Sequence, residues 1–396
     1  MDKEEPNPQQ DENLIIVGVG ASAGGLEAFS ELLRHLPPAT GMAFVLVQHL
    51  DPRHESALSE LLAAKTQMQV LQVHNETRIL PDHVYVIPPN TLMRVHNRTL
   101  VLETRPTTSD TFRPIDVFFN SLGEELHFNA IGVVLSGTAS DGTLGLKTIK
   151  AEGGITFAQN QTARFESMPR SAISAGVVDF VLPPRRIAEE LAAISRRAQN
   201  LTPAETVWTG DGATLHRIQL MLRNQTGVDF TQYKQPTILR RLNRRMLLQK
   251  TENLEQYYEI LQKEPGEVRA LFDDLLINVT DFFRDPDVFE SAKRVAFPGI
   301  VQEHKQPQPI RVWVPGCSTG EEVYSIVIAL LEFLESEDLD RRIQVFGTDV
   351  SEITIAKARM GIYSESGMGG VSPERLRRFF VRADSGYQIS RAVREM

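Results

Sequence analysis

The chain has 396 residues, a formal net charge of −9 and one cysteine. A single cysteine excludes an internal disulfide and is typical of a reducing compartment, and the negative charge argues against nucleic-acid binding. No apolar run approaches the roughly 18 residues of a membrane span, and residues 1–13 lack the apolar core of a secretory signal, so we expect a cytoplasmic protein with a disordered tail at 1–13.

Residues 14–199 alternate short apolar runs with amphipathic stretches. The pattern predicts strands at Leu14–Val19, Ala43–His49, Val84–Ile87, Ile131–Leu135, Ile155–Ala158 and Val178–Leu182, and a hairpin of Leu92–Val95 with Thr99–Leu102. Helices are predicted at Leu26–Leu36, Ser56–Ala64, Asp116–Leu126, Leu144–Glu152 and Ile187–Ala198. Strand–helix alternation indicates a doubly wound, mostly parallel α/β sheet with helices on both faces.

The rest of the chain is predicted to hold two further domains. Residues 200–214 contain turn residues and weak periodicity, which predict a linker. Residues 215–295 are helix-like without a strand and predict a small all-α domain. Residues 296–396 return to strand–helix order and predict the first part of a Rossmann-like α/β domain.

Ser22, His49 and Asp141 all follow predicted strands of the first domain. Small residues around Ser22 allow a sharp turn into a helix, whose free backbone amides could stabilise an oxyanion. A serine nucleophile needs a base within reach, and His49 ends the next strand. Because carboxyl ends of parallel strands meet at one edge, the three side chains can form a Ser–His–Asp triad.

Other interpretations of these residues stay open at this point. Gly18-x-Gly20-x-x-Ala23 also fits a loose dinucleotide fingerprint, with Asp51 as a ribose ligand. His49 alone can be a structural histidine, and Asp141 alone can cap a helix.

Five segments of this domain resemble the catalytic domain of chemotaxis protein-glutamate methylesterases (CheB family): GASAGGLEAF, VLVQHL, VYVIPP, VVLSGTASDGTLGLKTIKAEGG and ESMPRSAISAGVVDFVLP. The resemblance runs from about Leu14 to Ala198. It implies Ser22 as nucleophile, His49 as base and Asp141 as orienting acid. The implied substrates are glutamate methyl esters on chemoreceptors, with glutamine deamidation as a related activity.

Two positions depart from that family. A receiver domain normally precedes the catalytic domain, whereas about a dozen residues precede the first predicted strand, so we expect no receiver control. Thr138 stands where the family has a methionine near the oxyanion site.

The predicted helix TILRRLNRRMLLQK places Arg240, Arg241, Arg244 and Arg245 on one face. One interpretation is a solvated helix face, and the other is a docking surface for an acidic helical partner. Without interleaved aromatic residues, nucleic acid is disfavoured.

A strand, a small-residue turn and the Glu321-Glu322 pair follow at 310–322, and the next predicted strand ends at Asp349. Carboxylates suit an amino or hydroxyl group of a ligand, and Asp349 can accept from ribose hydroxyls. The pattern is compatible with an adenosine-type cofactor. Cys317 in this turn is interpreted as a small packing residue.

Four segments resemble chemoreceptor glutamate methyltransferases (CheR family): FTQYKQPTILRRLNRRM, LLINVTDFFRDP, WVPGCSTGEEVYSI and GTDVSEITIAKARMGIY. The resemblance runs from about Leu215 onward. It implies that S-adenosylmethionine is the cofactor of this part, and that the basic helix docks on the receptor. The implied cofactor-binding residues are Asn278, Thr280, Arg284, Glu321, Glu322 and Asp349.

The sequence therefore predicts a bifunctional adaptation enzyme that acts on the helical bundle of methyl-accepting chemoreceptors. The alternatives are a non-catalytic receptor-docking scaffold and a nucleotide-binding oxidoreductase. The segment after Ile310 is shorter than the ~180 residues of a six-stranded α/β sheet. We accordingly expect weak cofactor binding, exposed apolar faces at Ile343–Phe346 and Phe379–Val381, and low stability there. No metal site is predicted.

Overall fold

The structure is a computed structural model that describes residues 14–49, 58–105, 112–200, 212–276, 280–303, 308–383 and 386–396. It divides into one compact unit that ends at Leu275 and a second that begins at Leu276. Among the described residues, no helix is long and apolar enough to cross a membrane.

A seven-stranded parallel sheet forms the centre of the first unit. Its strand order is β10-β9-β8-β1-β2-β5-β3. The central strand β1 is buried at every position, because helices cover both faces and a parallel sheet then requires near-continuous apolar runs. The strands are β1 (Ile16–Ala21), β2 (Ala43–Gln48), β3 (Gln69–Gln72), β5 (His83–Val86), β8 (Ala130–Val134), β9 (Ile155–Gln159) and β10 (Phe180–Leu182).

Two apolar clusters lie on opposite faces of this sheet. One joins Val17, Val19, Phe44 and Leu46 to helices α1, α2 and α6. The other joins Ile16, Val45 and Val47 to α3, α4 and α5. The doubly wound fold predicted from the sequence is confirmed. The helices are α1 (Gly25–His35), α2 (Leu58–Ala63), α3 (Pro114–Leu126), α4 (Thr143–Ala151), α5 (Ser167–Ser174) and α6 (Pro184–Asn200).

A separate antiparallel sheet holds the predicted hairpin. Strands β6 (Thr91–His96) and β7 (Thr99–Thr104) pair as expected, and β4 (Thr77–Arg78) adds a third strand. A two-residue strand carries no detectable period-2 pattern, which explains why the sequence did not predict β4.

The part of the predicted all-α segment up to Leu275 belongs to the first unit. Its helices are α7 (Gly212–Thr226), α8 (Gln235–Leu248), α9 (Leu254–Lys263) and α10 (Pro265–Leu275). The expected boundary near residue 295 differs from the structure, because the compact unit already ends at Leu275. Residues 201–211 of the predicted linker lie outside the described part of the chain.

The prediction that the α8 arginines form an exposed docking face is wrong. Arg244 is buried, donates to the Gly154 carbonyl, and forms ion pairs with Asp179 and Asp274 at 2.5 Å each. Arg241 is also buried and donates to the carbonyls of Lys150 and Ala151 at the end of α4.

The other two arginines of α8 are also engaged. Arg245 binds Glu267 of α10 through two hydrogen bonds, and Arg240 lies 3.9 Å from Glu152. The four arginines of α8 therefore form contacts within the first unit. They connect α8 to α4, to the strand ends near Asp179 and to α10. Charge periodicity alone could not distinguish this use from solvation or docking.

Arg244→Ala should destabilise the first unit by about 3–5 kcal/mol, because it removes the buried guanidinium that Asp179 and Asp274 share and leaves them only the more distant Lys150 and Arg245. Burial by itself raises the pKa of Asp179, but the charges of Arg244 and Lys150 outweigh it and hold that pKa below its usual range. We expect the calorimetric transition of the first unit to fall by about 10 °C. Arg240→Ala is the matched control, with a side chain 32% exposed and an expected loss under about 1 kcal/mol. Equal shifts for both variants would contradict the assignment.

The second unit contains two small sheets. Strands β11 (Ile310–Pro315) and β12 (Ile343–Thr348) pair in parallel. Strands β13 (Ile362–Tyr363), β14 (Phe380–Ala383) and β15 (Gly386–Ile389) form an antiparallel sheet that the sequence did not predict. The helices are α11 (Pro286–Ser291), continued by a π-helical turn at Ala292–Ala296, then α12 (Phe297–Glu303), α13 (Glu321–Ser336), α14 (Glu352–Met360), α15 (Pro373–Phe379) and α16 (Arg391–Arg394).

The expected exposure of apolar faces in this unit holds only in part. Trp313 and Phe346, paired on β11 and β12, are 69% and 47% exposed. Phe379 and Phe380 are instead buried in a cluster with Phe282 and Tyr363. The antiparallel sheet supplies the cover that the prediction lacked.

Candidate active site and cofactor site

The first site lies where three neighbouring strands of the large sheet end. Ala21 pairs with Gln48 as the last position of the β1–β2 ladder, so Ser22 and His49 are the next residues on adjacent strands. Strand β8 pairs with β1 on its other side, and the loop after β8 carries Asp141. Adjacent strands lie about 4.8 Å apart, which brings these three residues to one edge of the sheet.

His49 and Asp141 are joined directly. The Nε2 atom of His49 lies 2.8 Å from Oδ2 of Asp141. The Asp141 side chain is 3% exposed, whereas that of His49 is 30% exposed. Because Nε2 contacts the carboxylate, Nδ1 is the ring nitrogen left to exchange a proton with a substrate or a nucleophile.

The Asp141 carboxylate is held in place by the backbone. Its Oδ1 accepts from the N–H groups of Asp116 and Gly142 at 2.8 and 2.9 Å, and its Oδ2 accepts from that of Ile115 at 3.0 Å. Asp141 therefore does cap a helix, but the helix is α3 and not α4, which follows it in sequence. Capping and contact with His49 are compatible roles of one carboxylate.

The backbone of Ser22 is fixed on both sides. Its N–H donates to the Ser136 carbonyl at 3.0 Å, and its own carbonyl accepts from Gly25 N at 2.9 Å and Gln48 Nε2 at 3.3 Å. A Cβ at Gly137 would lie 3.1 Å from Ser22 Cβ and 2.1 Å from Met168 Sδ, so only glycine fits beside the serine. Within the described residues Ser22 Oγ makes no hydrogen bond, which leaves the hydroxyl able to turn toward a substrate.

The glycines of the loose dinucleotide fingerprint have a packing role. A Cβ at Gly20 would lie 2.4 Å from Ile115 Cγ2, and one at Gly18 would lie 2.8 Å from Phe119 Cε1. Both glycines stand within β1 and allow α3 to approach the sheet, so they do not form a phosphate-binding turn. Asp51, the ribose ligand of that interpretation, lies outside the described residues.

The second site is built around the turn between β11 and α13. The Oδ2 atom of Asp349 accepts from Ser318 N at 2.8 Å, and Oδ1 accepts from Ser351 N at 2.9 Å. Glu321 is buried and accepts from Thr319 Oγ1 at 2.5 Å, whereas Glu322 is exposed. Asp349 and the Glu321–Glu322 pair therefore border the same turn.

Tyr363 supports this turn and was not among the predicted site residues. Its hydroxyl donates to the Thr319 carbonyl at 2.8 Å, and a Cβ at Gly320 would lie 3.1 Å from that hydroxyl. The residue lies in the segment GTDVSEITIAKARMGIY, but a tyrosine that ends a two-residue strand has no distinctive spacing.

Cys317 has the environment of a packing residue. It is buried, and burial together with the charge of Asp349 raises the pKa of its thiol. A Cβ at Gly347 would lie 3.1 Å from Cys317 Sγ, so the cysteine fills the space between the two strand ends.

The remaining predicted cofactor residues lie on the segment that precedes α11. Asn278 is outside the described residues, Thr280 is half-buried and Arg284 is exposed. Between them, Phe283 is buried and its N–H donates to Ser325 Oγ of α13 at 2.9 Å. The segment is thereby anchored on the helix that follows the turn.

The residues that border the second site fit S-adenosylmethionine. Glu322 and Asp349 enter no ion pair among the described residues, so their charges remain available to a cationic ligand or to ribose hydroxyls. A small-residue turn allows close backbone approach.

The geometry defines two classes of domain: a doubly wound α/β domain with serine, histidine and aspartate at its strand ends, and an α/β domain with an acidic turn suited to a nucleoside cofactor. Family models agree with both. Residues 17–191 match CheB methylesterase, residues 213–276 the CheR methyltransferase all-alpha domain, and residues 278–396 the CheR methyltransferase SAM binding domain. The chain therefore joins a region of the CheB methylesterase family to two regions of the CheR methyltransferase family.

Two curated proteins are similar to parts of this chain, and one of them carries a methylesterase name. A 104.1 kDa protein of Rhodobacter capsulatus, described only by its position 3′ of hypE, is 34% identical over 362 residues, which are 85% of this chain and 38% of the relative. Protein-glutamate methylesterase/protein-glutamine glutaminase 2 of Burkholderia lata is 36% identical over 188 residues, which are 47% of this chain and 55% of the relative.

A solved structure, the Thermotoga maritima CheB methylesterase catalytic domain, is 27% identical with a TM-score of 0.42, and covers 45% of this chain and 97% of that one. The chain spans between about two fifths and just over half of the length of the curated relatives it matches.

Proposed function

We propose that residues 14–199 hydrolyse glutamate methyl esters on chemoreceptors by acyl transfer. The observation that carries the proposal is the 2.8 Å contact between His49 and Asp141. His49 and Ser22 each come one residue after the last pair of the β1–β2 ladder, so they lie at neighbouring strand ends. This region is also the one that matches the CheB methylesterase model.

In the proposed mechanism, Nδ1 of His49 takes the proton of the Ser22 hydroxyl while the serine oxygen attacks the carbonyl carbon of the ester. Asp141 keeps the imidazole in one tautomer and stabilises the imidazolium that forms. His49 then gives the proton to the departing methoxide, and methanol leaves. Water, deprotonated by His49, hydrolyses the acyl-enzyme and restores Ser22.

The same steps accommodate a glutamine side chain. Ammonia then leaves instead of methanol, and the product is again glutamate. The name of the Burkholderia lata relative includes a glutaminase activity, which supports deamidation as a second reaction of this site.

The test is methanol release from receptor carrying isotopically labelled methyl esters. A hydrolase releases labelled methanol in many turnovers per chain and leaves glutamate on the receptor. The alternative, a receptor-docking scaffold, binds the receptor without releasing methanol. Binding without release would overturn the proposal.

For residues 278–396 we propose S-adenosylmethionine-dependent methyl transfer to receptor glutamates. Asp349 is proposed to accept from the ribose hydroxyls, and Glu322 to face the cationic methionine part. Asn278, Thr280, Arg284 and Glu321 complete the proposed set by resemblance. When bound, the cofactor supplies a methyl group on a sulfonium.

Asp349→Ala should weaken S-adenosylmethionine binding at least about tenfold, because two ribose hydrogen bonds to a charged group are lost. Saturation-transfer NMR on the whole chain detects even weak binding and is the measurement of choice. Glu335→Ala, an exposed carboxylate at the other end of α13, is the control and should bind normally. Unchanged affinity in Asp349→Ala would remove Asp349 from the site.

The proposed partner is the helical bundle of a methyl-accepting chemoreceptor, and the proposed location is the cytoplasm. The single cysteine supports a reducing compartment. Since Arg241 and Arg244 are buried within the first unit, receptor recognition is not assigned to the basic face of α8.

A further inference from the structure

Asp116 is a buried carboxyl beside the His49–Asp141 pair that the mechanism above leaves unused. It lies in the first turn of α3, and its side chain is 6% exposed. Its N–H donates to Asp141 Oδ1 at 2.8 Å, and its own Oδ1 accepts from Gly145 N, in the first turn of α4, at 2.9 Å.

Helices α3 and α4 are therefore capped by each other's carboxyl groups. Asp141, just before α4, accepts from the first turn of α3, and Asp116, in that turn, accepts from the first turn of α4. The helices also touch closely, since a Cβ at Gly145 would lie 2.3 Å from Phe119 Cβ. A loop held this way has little freedom to move the carboxylate it carries.

The surroundings of Asp116 raise its pKa above the usual range of a carboxyl group. Burial raises its pKa most, the negative charge of Asp141 raises it further, and the Gly145 N–H and Arg113 lower it, which leaves a pKa of about 7. Arg113 Nη1 lies 3.8 Å from Oδ2, an atom without a hydrogen bond among the described residues. His49 contacts the other carboxyl of the pair, with Nε2 2.8 Å from Asp141 Oδ2.

We propose that Asp116 is a positioning residue that fixes the Asp141 loop against His49 through its link to the first turn of α4. This inference rests on the proposed esterase function. In its neutral form Asp116 adds no second negative charge beside Asp141. When it ionises, a second buried negative charge repels the Asp141 carboxylate that contacts His49.

Two substitutions separate the effect of the hydrogen bond between Gly145 and Asp116 from the effect of the Asp116 charge. Asp116→Asn keeps an oxygen for the Gly145 N–H and cannot ionise, so at pH 6 its kcat should stay within about threefold of wild type. Asp116→Ala loses the link, and its kcat should fall about 10- to 100-fold with KM within twofold. Glu124→Gln, exposed on the same helix, is the control and should match wild type. An Asn variant as impaired as the Ala variant, or an unimpaired Ala variant, would overturn the proposal.

The NMR signals of the His49 ring, which contacts Asp141, give a readout that needs no substrate. In the wild type, the ring signals should shift as Asp116 ionises, and in Asp116→Asn that shift should be absent. If the chain hydrolyses no ester, the proposed function fails while this titration still tests the coupling. Identical curves of the ring signals against pH for wild type and Asp116→Asn would contradict the inference.

Thermal unfolding provides a second pH-dependent readout. The folded-state pKa of Asp116 is raised above its unfolded value, so its contribution to stability is full at low pH and is lost as pH rises toward about 7. Asp116→Asn should therefore unfold at a higher temperature than wild type at pH 8, and show a smaller difference at pH 5. A difference that is equal at both pH values would contradict a neutral Asp116.

Discussion

Ser22→Ala should lower methanol release from methylated receptor by at least about 10,000-fold, because the proposed nucleophile is lost while the fold is kept. The substitution removes one hydroxyl that forms no hydrogen bond among the described residues. The neighbouring backbone, bonded through Ser136 and Gly25, does not depend on it. Release is measured as labelled methanol at saturating receptor.

The control is Ser30→Ala, on the helix that follows Ser22. Ser30 is buried in α1 and has no part in the proposed chemistry. Its loss should leave kcat within about twofold of wild type. If Ser22→Ala retained activity near wild type, Ser22 could not be the nucleophile, and a water activated by His49 would become the better explanation.

Asp141→Asn should lower kcat by about 1,000- to 10,000-fold, because an amide facing Nε2 favours the wrong tautomer of His49. The oxygen of asparagine can still accept from the N–H groups of Asp116 and Gly142, so the capping of α3 is largely retained. Activity should fall far more than stability. The two are measured on one preparation, by methanol release and by thermal unfolding.

A purely structural Asp141 would give the opposite pattern. Loss of a helix cap costs about 1 kcal/mol of stability and changes turnover little. A twofold change in kcat accompanied by a clear drop in unfolding temperature would assign Asp141 to capping alone.

Much of the first domain could be predicted because its strands and helices have simple hydrophobic patterns. Buried parallel strands such as β1 and β2 read as continuous apolar runs, and residues that end such strands meet at one edge. That rule alone suggested that Ser22, His49 and Asp141 lie together. The motif resemblance added the assignment of roles.

What the sequence did not predict depends on tertiary contacts. The edge strand β3 is short and largely polar at its ends, and the antiparallel sheet around β15 begins in a two-residue strand, β13. The use of Arg241 and Arg244 depends on carbonyl groups and carboxylates distant in sequence, near Gly154 and Asp179. A pattern of four arginines predicts a charged helix face, but it does not predict which groups those arginines contact.

Asp116 shows the same limit at the level of chemistry. Its position in a helical first turn fits an ordinary favourable charge near a helix N-terminus. Only the structure reveals that it is buried next to a second carboxyl and that their charges compete.

The most direct test of the proposed acyl transfer is a rapid acid quench during turnover of a methyl-esterified receptor peptide, followed by mass spectrometry of the chain. A serine nucleophile predicts an initial burst of methanol and an acyl group from the substrate on Ser22. Recovery of that acyl group on another residue while methanol is released would contradict the account.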